Sequence, residues 1–392
     1  MGTIIILLEV LVFLIILIPC LLFSFQLVFG SLVNRKNLRT GSLNTFKVLM
    51  PAHNEASIIA ATLEKLEREL GSLNDVIVIA DNCNDNTANI ARELGSTVIE
   101  RFDEHHKGKG YALDAGFIAI SDDLPTTIVV LDADCYFSPG SFSQLVLSSQ
   151  QTDSVIQALY LMKSPDGGSV KTRVAEFAWL VKNQIRANAL TQLGINCQLQ
   201  GSGMAFPSRV FKQVSFASGS IVEDLELGLK LTATNESIRL NTSSEVTSFF
   251  PTSTKGSEDQ RTRWEHGHLS SIRSLSKMAI GTLFNKKIST FFSILDAMLP
   301  PTVLWLLIVC ASCVLTAIIS LAGHYAPFYL CALSFSLMLV GLFICWYSHG
   351  RAIISSKDAG ELFGFVFSKL SLYKSFIYKR QKEWIKTDRG EQ

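Results

Sequence analysis

Residues 3–30, TIIILLEVLVFLIILIPCLLFSFQLVFG, run apolar with Glu9 as the one charge, and a helix of about 20 such residues already crosses a bilayer core. No water-exposed element tolerates a run of that length, so it predicts a membrane helix and ties everything after it to a membrane. A signal peptide would open on basic residues and carry a shorter apolar core before a small-residue cleavage site. The leading MGT has no Lys or Arg.

Two further runs, 298–322 and 326–348, each read as a span, joined by the short GHY loop. The simplest arrangement is a two-helix hairpin. Basic residues set orientation by gathering on the cytoplasmic side. They flank the spans in NRKNLR (34–39), HGR (349–351) and YKRQKEWIK (378–386), and the connecting loop has none. The central segment and the C-terminus are therefore expected in the cytoplasm, in a protein integral to the inner or plasma membrane. The net charge of +1 gives no sign of nucleic-acid binding.

Eight cysteines include Cys310 and Cys313 inside an expected span, where packing explains them better than metal or redox chemistry. Cys83, Cys135 and Cys197 fall in the cytosolic part, where disulfides do not persist. Asn235 and Asn241 each begin an Asn-x-Ser pattern, which that same compartment leaves unused.

From residue 46 to about 160, strand-like runs (46–52, 75–81, 96–100, 126–134, 154–162) alternate with runs of helical apolar spacing (56–70, 86–95, 110–121). Such alternation predicts an α/β domain with a mostly parallel sheet covered by helices. Ligands of open sheets of this kind bind beyond the carboxyl ends of the strands. Three strands end in polar clusters: PAHNE (51–55), ADNCNDNT (80–87) and DADC (132–135). Taken singly, Glu55, Asp81 and Asp85 read as turn or cap residues, and Asp132-Ala-Asp134 reads as a surface turn. Along one rim they make a candidate site, since paired carboxylates hold a hard divalent cation and acids bind ribose hydroxyls.

In HHKGKGYALDAG (105–116), Lys107 and Lys109 sit among glycines ahead of a helix. That suits phosphate charge, and a solvated basic turn is the bland alternative. SIVEDLELGLKLTAT (220–234) opens a helix with Glu223 and Asp224, where acids complement the helix dipole or serve as a general base. EDQRTRWEHGHL (258–269) places Gln260, Arg263 and Trp264 on one helical face. His266 and His268, two residues apart, are poorly spaced for a helical metal site.

The order Pro-x-x-Asn-Glu, Asp81, Gly-Lys before a helix, Asp-x-Asp, a glycine-rich segment, Glu-Asp and Gln-x-x-Arg-Trp resembles the membrane-bound family-2 glycosyltransferases over residues 45–275. QRTRW resembles the cellulose- and hyaluronan-synthase-like branch, whose neighbours include poly-N-acetylglucosamine synthases and, more distantly, glucosylceramide synthases. The resemblance implies a GT-A fold and a nucleotide-sugar donor. It implies that Glu55 and Asp81 contact base and ribose, that Lys109 approaches the diphosphate, and that Asp132 and Asp134 hold Mg²⁺ or Mn²⁺, with Asp134 preferred as direct ligand. Asp224 would be the base that deprotonates the acceptor. Gln260, Arg263 and Trp264 would close over the donor, with Trp264 also a platform for the acceptor. Gly201, Ser202 and Gly203, in QGSGMAFP (200–207), would floor the acceptor side beside Glu223.

Two departures stand out. ADNCNDNT replaces the consecutive Asp pair of many relatives, and three spans are fewer than chain-extruding synthases use. The apolar stretches 279–298 and 358–376 carry interspersed basic residues and are expected to lie at the membrane surface. The expected division is an N-terminal transmembrane helix (1–33), a cytosolic GT-A domain (45–278), and interfacial helices with the hairpin and basic tail (279–392).

The expected activity is inverting sugar transfer, by a hexosyl- or N-acetylhexosaminyltransferase, from a UDP-linked donor to a membrane-associated acceptor in exopolysaccharide or cell-surface glycan synthesis. Polysaccharide-assembly partners fit that role. The competing readings are a glycolipid synthase with a lipid acceptor and a silent membrane scaffold for a synthase complex. A transporter is disfavoured because the spans lack a central charged pair.

Overall fold

The structure, a computed structural model, describes residues 7, 9–33, 38–285, 287–358 and 360–361. The surface helix expected over 358–376 falls outside the described residues beyond Glu361, as does the basic tail. The chain divides into two compact units. One comprises the described residues of 35–166 and 194–267; the other comprises those of 1–34, 167–193 and 268–381.

The first unit is built on an eight-stranded sheet: β1 (Phe46–Ala52), β2 (Val76–Asp81), β3 (Thr97–Arg101), β4 (Thr127–Val130), β5 (Tyr136–Phe137), β6 (Val155–Lys163), β7 (Met204–Pro207) and β8 (Ile238–Phe249). Their order is β3-β2-β1-β4-β7-β6-β8-β5. The β3-β2-β1-β4 half is parallel throughout. β7 runs antiparallel to both β4 and β6, β8 is parallel to β6, and β5 is antiparallel to β8. The expected strands thus form, within a residue or two at most ends; β4 stops at Val130, which leaves Asp132 and Asp134 free of the ladder.

Every residue of β2 and β4 is buried, as befits parallel strands covered on both faces, which read as continuous apolar runs. At about 1.5–3 kcal/mol for each fully buried Val, Leu or Ile, these short strands supply much of what closes the core. The chain leaves β1 in one direction, toward β2 and β3, and returns to its other side as β4. That reversal puts a crevice between the carboxyl ends of β1 and β4, where open α/β sheets bind ligands.

The second unit holds three helices long and apolar enough to cross a membrane, Glu9–Leu32, Thr302–Ser320 and Ala326–Gly350, with a shorter apolar helix, Ile288–Met298. Leu11, Leu14, Leu21 and Phe25 of the first point outward, and Cys20, Phe23 and Leu27 pack inward with Val309, Cys331 and Met338. Gly341 lies 3.3 Å, measured from an added Cβ, from Leu27. Small residues of this kind let membrane helices approach.

A polar cluster interrupts that apolar packing. Arg186 donates to Asp296 Oδ1 at 2.7 Å and to the Asp296 carbonyl at 2.9 Å, and Gln26 Nε2 donates to Asp296 Oδ1 at 3.0 Å. All three side chains are buried. Arg186 ends a π-helical turn, Val181–Arg186. The stretch expected as one surface helix over 279–298 is the end of a long helix, Thr254–Phe284, followed by the separate Ile288–Met298 helix. Asp296 faces protein there.

Candidate active site

Two acids lie just past β4. Asp132 and Asp134 place carboxylate oxygens within 4.8 Å of each other and of Cys135 Sγ. A serine holds each of them, one at the backbone and one at the carboxylate. Ser202 Oγ accepts the Asp132 amide at 3.0 Å, and Ser248 Oγ donates to Asp134 Oδ2 at 3.1 Å. Burial pushes the Cys135 thiol well above its ordinary pKa, so it remains a neutral thiol. The donor set offered outward is therefore carboxylate oxygen, the chemistry that suits Mg²⁺ or Mn²⁺.

Lys109 stands at the start of the Lys109–Ala119 helix and points back at these acids. It ion-pairs with Asp132 and donates to the Gly201 carbonyl at 2.8 Å. Burial works against its charge, but Asp132, Glu223 and Asp224 outweigh burial and hold its pKa above the ordinary lysine value. Lys107, two residues earlier, is exposed; the solvated-turn reading fits it.

Glu223 and Asp224 open the Glu223–Ala233 helix. Asp224 Oδ2 comes 3.5 Å from where a Cβ on Gly201 would lie, and Lys109 Nζ 3.7 Å. One point on the glycine loop thus sees both the acid and the cation. Burial, and then the charge of Asp224, push the Glu223 carboxyl up to about 7 despite Lys109.

The glycine loop itself is held from below. Gly201 and Gly203 have φ of +92° and +66°, a region L side chains avoid, and a Cβ on Gly203 would meet Val246 at 2.7 Å. Buried Gln157 in β6 donates to the Ser202 carbonyl at 2.8 Å and accepts the Gln200 amide at 2.8 Å. A polar side chain in the otherwise apolar run VIQALYLM was the sequence signal for this support.

At the β2 end, Asp81 Oδ1 accepts Arg101 NH1 at 2.6 Å and Asn82 Nδ2 at 3.1 Å. Arg101 also reaches Asp103 and lies 5.8 Å from the Tyr111 ring centre. Sequence reasoning passed over Arg101 because it closes β3, an unremarkable place for a surface arginine. Glu55 ends the β1 loop with its amide on Thr87 Oγ1 at 2.8 Å. Asp85 accepts the Ala56 and Thr87 amides at 3.1 and 3.0 Å, which makes it a turn residue.

Register brings these groups onto one rim. Ala52 pairs with Ala80, and Leu49 with Val130, so the β2, β1 and β4 loops leave the sheet at one level. Asp81 and the Asp132 loop are two strand spacings apart, about 10 Å.

Gln260, Arg263 and Trp264 lie on the Thr254–Phe284 helix as their spacing predicts. Gln260 is buried, and Arg263 and Trp264 are half-buried. The helix meets the acidic helix through Gly267, where an added Cβ would lie 2.7 Å from Val222, next to Glu223. The acids, Lys109 and the glycine loop thus converge, with this second helix packed behind the Val222–Glu223 turn.

Comparison with known proteins gives this rim a context. Residues 44–267 match the family described as "Glycosyltransferase like family 2". An undecaprenyl-phosphate 4-deoxy-4-formamido-L-arabinose transferase from Serratia proteamaculans (strain 568) is 28% identical over 125 residues, which is 30% of this chain and 37% of that protein. The match thus spans little more than a third of the relative's length. The mannosyltransferase PcManGT from Pyrobaculum calidifontis, solved with GDP-Man and Mn²⁺, superposes over 97% of this chain and 99% of its own, with a TM-score of 0.55 at 12% identity. That likeness is one of fold, the curled mixed sheet of the GT-A type. The family match covers the sheet and every acid of the rim: the chain belongs to glycosyltransferase-like family 2.

Proposed function

We propose that the protein transfers a sugar with inversion from a UDP-sugar to a membrane-associated acceptor. The observation that carries this reading is the convergence of Asp132, Asp134, Lys109 and Asp224 around the Gly201 loop at the strand ends. Asp132 and Asp134 fit a divalent cation by their donor chemistry, and when bound it would offset the charge that develops on a departing diphosphate.

The chain's own residues account for the rest. Asp224 takes the proton from the acceptor hydroxyl, and the oxygen attacks the anomeric carbon as the bond to the diphosphate oxygen breaks. A positioned base of this kind contributes on the order of 10²–10⁴-fold. One base and one displacement invert the anomeric centre. Lys109 holds Asp132 in place and adds positive charge beside the diphosphate. Gln260, Arg263 and Trp264 close over donor and acceptor. Gly201, Ser202, Gly203 and Glu223 floor the acceptor side.

Asp81 and Glu55 serve the nucleoside, and the pairing of Asp81 favours uracil. With Oδ1 occupied by Arg101 and Asn82, one oxygen is left for a single imide N–H. Guanine offers a two-pronged donor edge and would want both oxygens. The curated relative acts on a lipid phosphate by its name, which supports a lipid-linked acceptor, in cell-surface glycan assembly, with the catalytic unit in the cytoplasm.

The test is release of nucleoside diphosphate by purified protein in nanodiscs over a panel of UDP- and GDP-sugars, with Mg²⁺, Mn²⁺ or EDTA. Metal-dependent turnover of a UDP-sugar is the expected result. Turnover of GDP-sugars alone would overturn the uracil reading. Failure of every donor, with membrane lipid extract added, would favour the scaffold alternative.

A further inference from the structure

The Asp132 loop closes on itself before the chain rejoins the sheet. The Cys135 amide donates to the Asp132 carbonyl at 3.0 Å, and β5 then starts at Tyr136, which pairs with Thr247 of β8. That pairing brings Ser248 against the loop. Side chains alternate along a strand, so Cys135 and Tyr136 part: the Tyr136 ring lies half-buried under Lys65, and Cys135 turns inward and is fully buried.

There the thiol meets both acids. Its Sγ lies within 4.8 Å of the Asp132 and Asp134 carboxylate oxygens, and it donates to Asp134 Oδ1 at 3.4 Å. Ser248 Oγ donates to the other oxygen, Oδ2, at 3.1 Å. The side chains of Ser202 and Tyr160 hydrogen-bond the sulfur, and Ser202 Oγ accepts the Asp132 amide. An amide N–H only donates and a carboxylate only accepts, so the protons between them run one way. The Asp132 N–H points to Ser202, the Ser202 hydroxyl to Cys135, and the thiol to Asp134.

The two acids are thus held differently. Asp132 is ion-paired with Lys109, which offsets its charge. The thiol and the Ser248 hydroxyl take one oxygen each of Asp134, which fixes the plane of that carboxylate without adding positive charge. Each oxygen keeps a second lone pair for a cation.

We propose that Cys135 is a positioning residue of the cation site: its thiol orients Asp134 and ties that carboxylate, through Ser202, to the glycine loop. This inference rests on the reading of Asp132 and Asp134 as the cation site. A group one hydrogen bond removed from a metal ligand sets metal affinity by about 10–100-fold. A thiol is a weak donor, so the lower end of that range applies.

The test is Mn²⁺ binding to the full chain in nanodiscs, without nucleotide and with UDP, read from the electron paramagnetic resonance of the free ion. Cys135→Ala should bind Mn²⁺ about tenfold more weakly than the wild-type chain. Cys135→Ser, which returns an O–H donor, should recover most of that loss. Tyr160→Phe removes only the hydroxyl behind the thiol and should weaken Mn²⁺ binding by less. UDP binding without metal should be unchanged in all three, which a general loss of packing would not allow. Wild-type Mn²⁺ affinity in Cys135→Ala, or a loss that Cys135→Ser does not recover, would overturn the proposal. Should the alanine variant fail to fold, wild-type Mn²⁺ affinity in Tyr160→Phe would overturn it instead. If Asp134→Ala abolishes Mn²⁺ binding, any of those results removes Cys135 alone and leaves the cation site standing. Mn²⁺ binding that survives Asp134→Ala, or none to the wild-type chain, would remove the cation reading and this inference with it.

Discussion

Lys109 shows how far a residue's role depends on what folding brings to it. In the sequence it is a lysine between two glycines ahead of a helix, which suits a phosphate. In the structure it is half-buried beside Asp132, Glu223 and Asp224, the last two more than 110 positions away, and that excess of acid keeps it charged. The acids differ in legibility for a related reason. Asp132 and Asp134 could be read from the apolar run before them, but Ser248, which bonds the Asp134 carboxylate, comes from a distant strand with no motif of its own. Asp224→Asn removes the proposed base and leaves the donor contacts intact. It should lower transfer by about 10²–10⁴-fold with UDP binding unchanged, which steady-state kinetics and calorimetry would separate. Asp134→Ala should instead remove the Mn²⁺ dependence of donor binding. Wild-type transfer by Asp224→Asn would show that another group is the base.

The elements that could be read in advance were those whose burial imposes a period. β1, β2 and β4 and the helices between them carry continuous apolar runs or clear helical spacing. β7 and β8 do not. β7 follows directly on the glycine loop, and β8, IRLNTSSEVTSF, mixes buried and half-buried residues around a register shift opposite Ala158/Leu159. Tertiary pairing overrides propensity in such strands. The glycine-helix start at residue 110 is a place where element packing is testable, because a Cβ there enters the backbone of the Ser215–Ser218 loop. Gly110→Ala should cost about 1–3 kcal/mol as an overpacked site, which thermal unfolding would read. In the second unit, Asp296→Ala leaves Arg186 buried without its carboxylate. Thermal unfolding in detergent should show a loss of about 3–5 kcal/mol, largely restored in an Arg186→Met/Asp296→Leu double variant. His268 is bonded to the Leu299 carbonyl, so Nε2 carries the proton, and burial and then Lys182 lower its pKa to about 4. The unfolded imidazole takes its proton near 6.5, so the unfolded state binds more protons between those values. Stability should be unaffected above about pH 6.5 and fall by on the order of 2 kcal/mol by pH 5. His268→Asn should flatten that slope in unfolding scans.

For the molecule as a whole, the decisive question is on which side of the membrane the acids work. Among the described residues three helices are long and apolar enough to cross, so the segment after the first and the segment that follows the third lie on the same side whenever all three span. Arg39, Arg351 and Lys357 flank those spans on what would be that side, and the turn between the second and third, residues 321–325, has neither Lys nor Arg. Basic flanks of this kind are retained in the cytoplasm. The rim of acids lies in the segment after the first span, so the same rule would place it where UDP-sugars are made and leave the short turn outside. The orientation is checked by thiol labelling. In intact cells, a membrane-impermeant maleimide should label His324→Cys and should reach Ser121→Cys, at an exposed turn of the catalytic unit, only after permeabilisation, each read against the unsubstituted chain with its own cysteines. Labelling of Ser121→Cys before permeabilisation would put the rim outside the cell. The donor would then have to be carried across the membrane before transfer, and the UDP-sugar reading would lose its source of substrate.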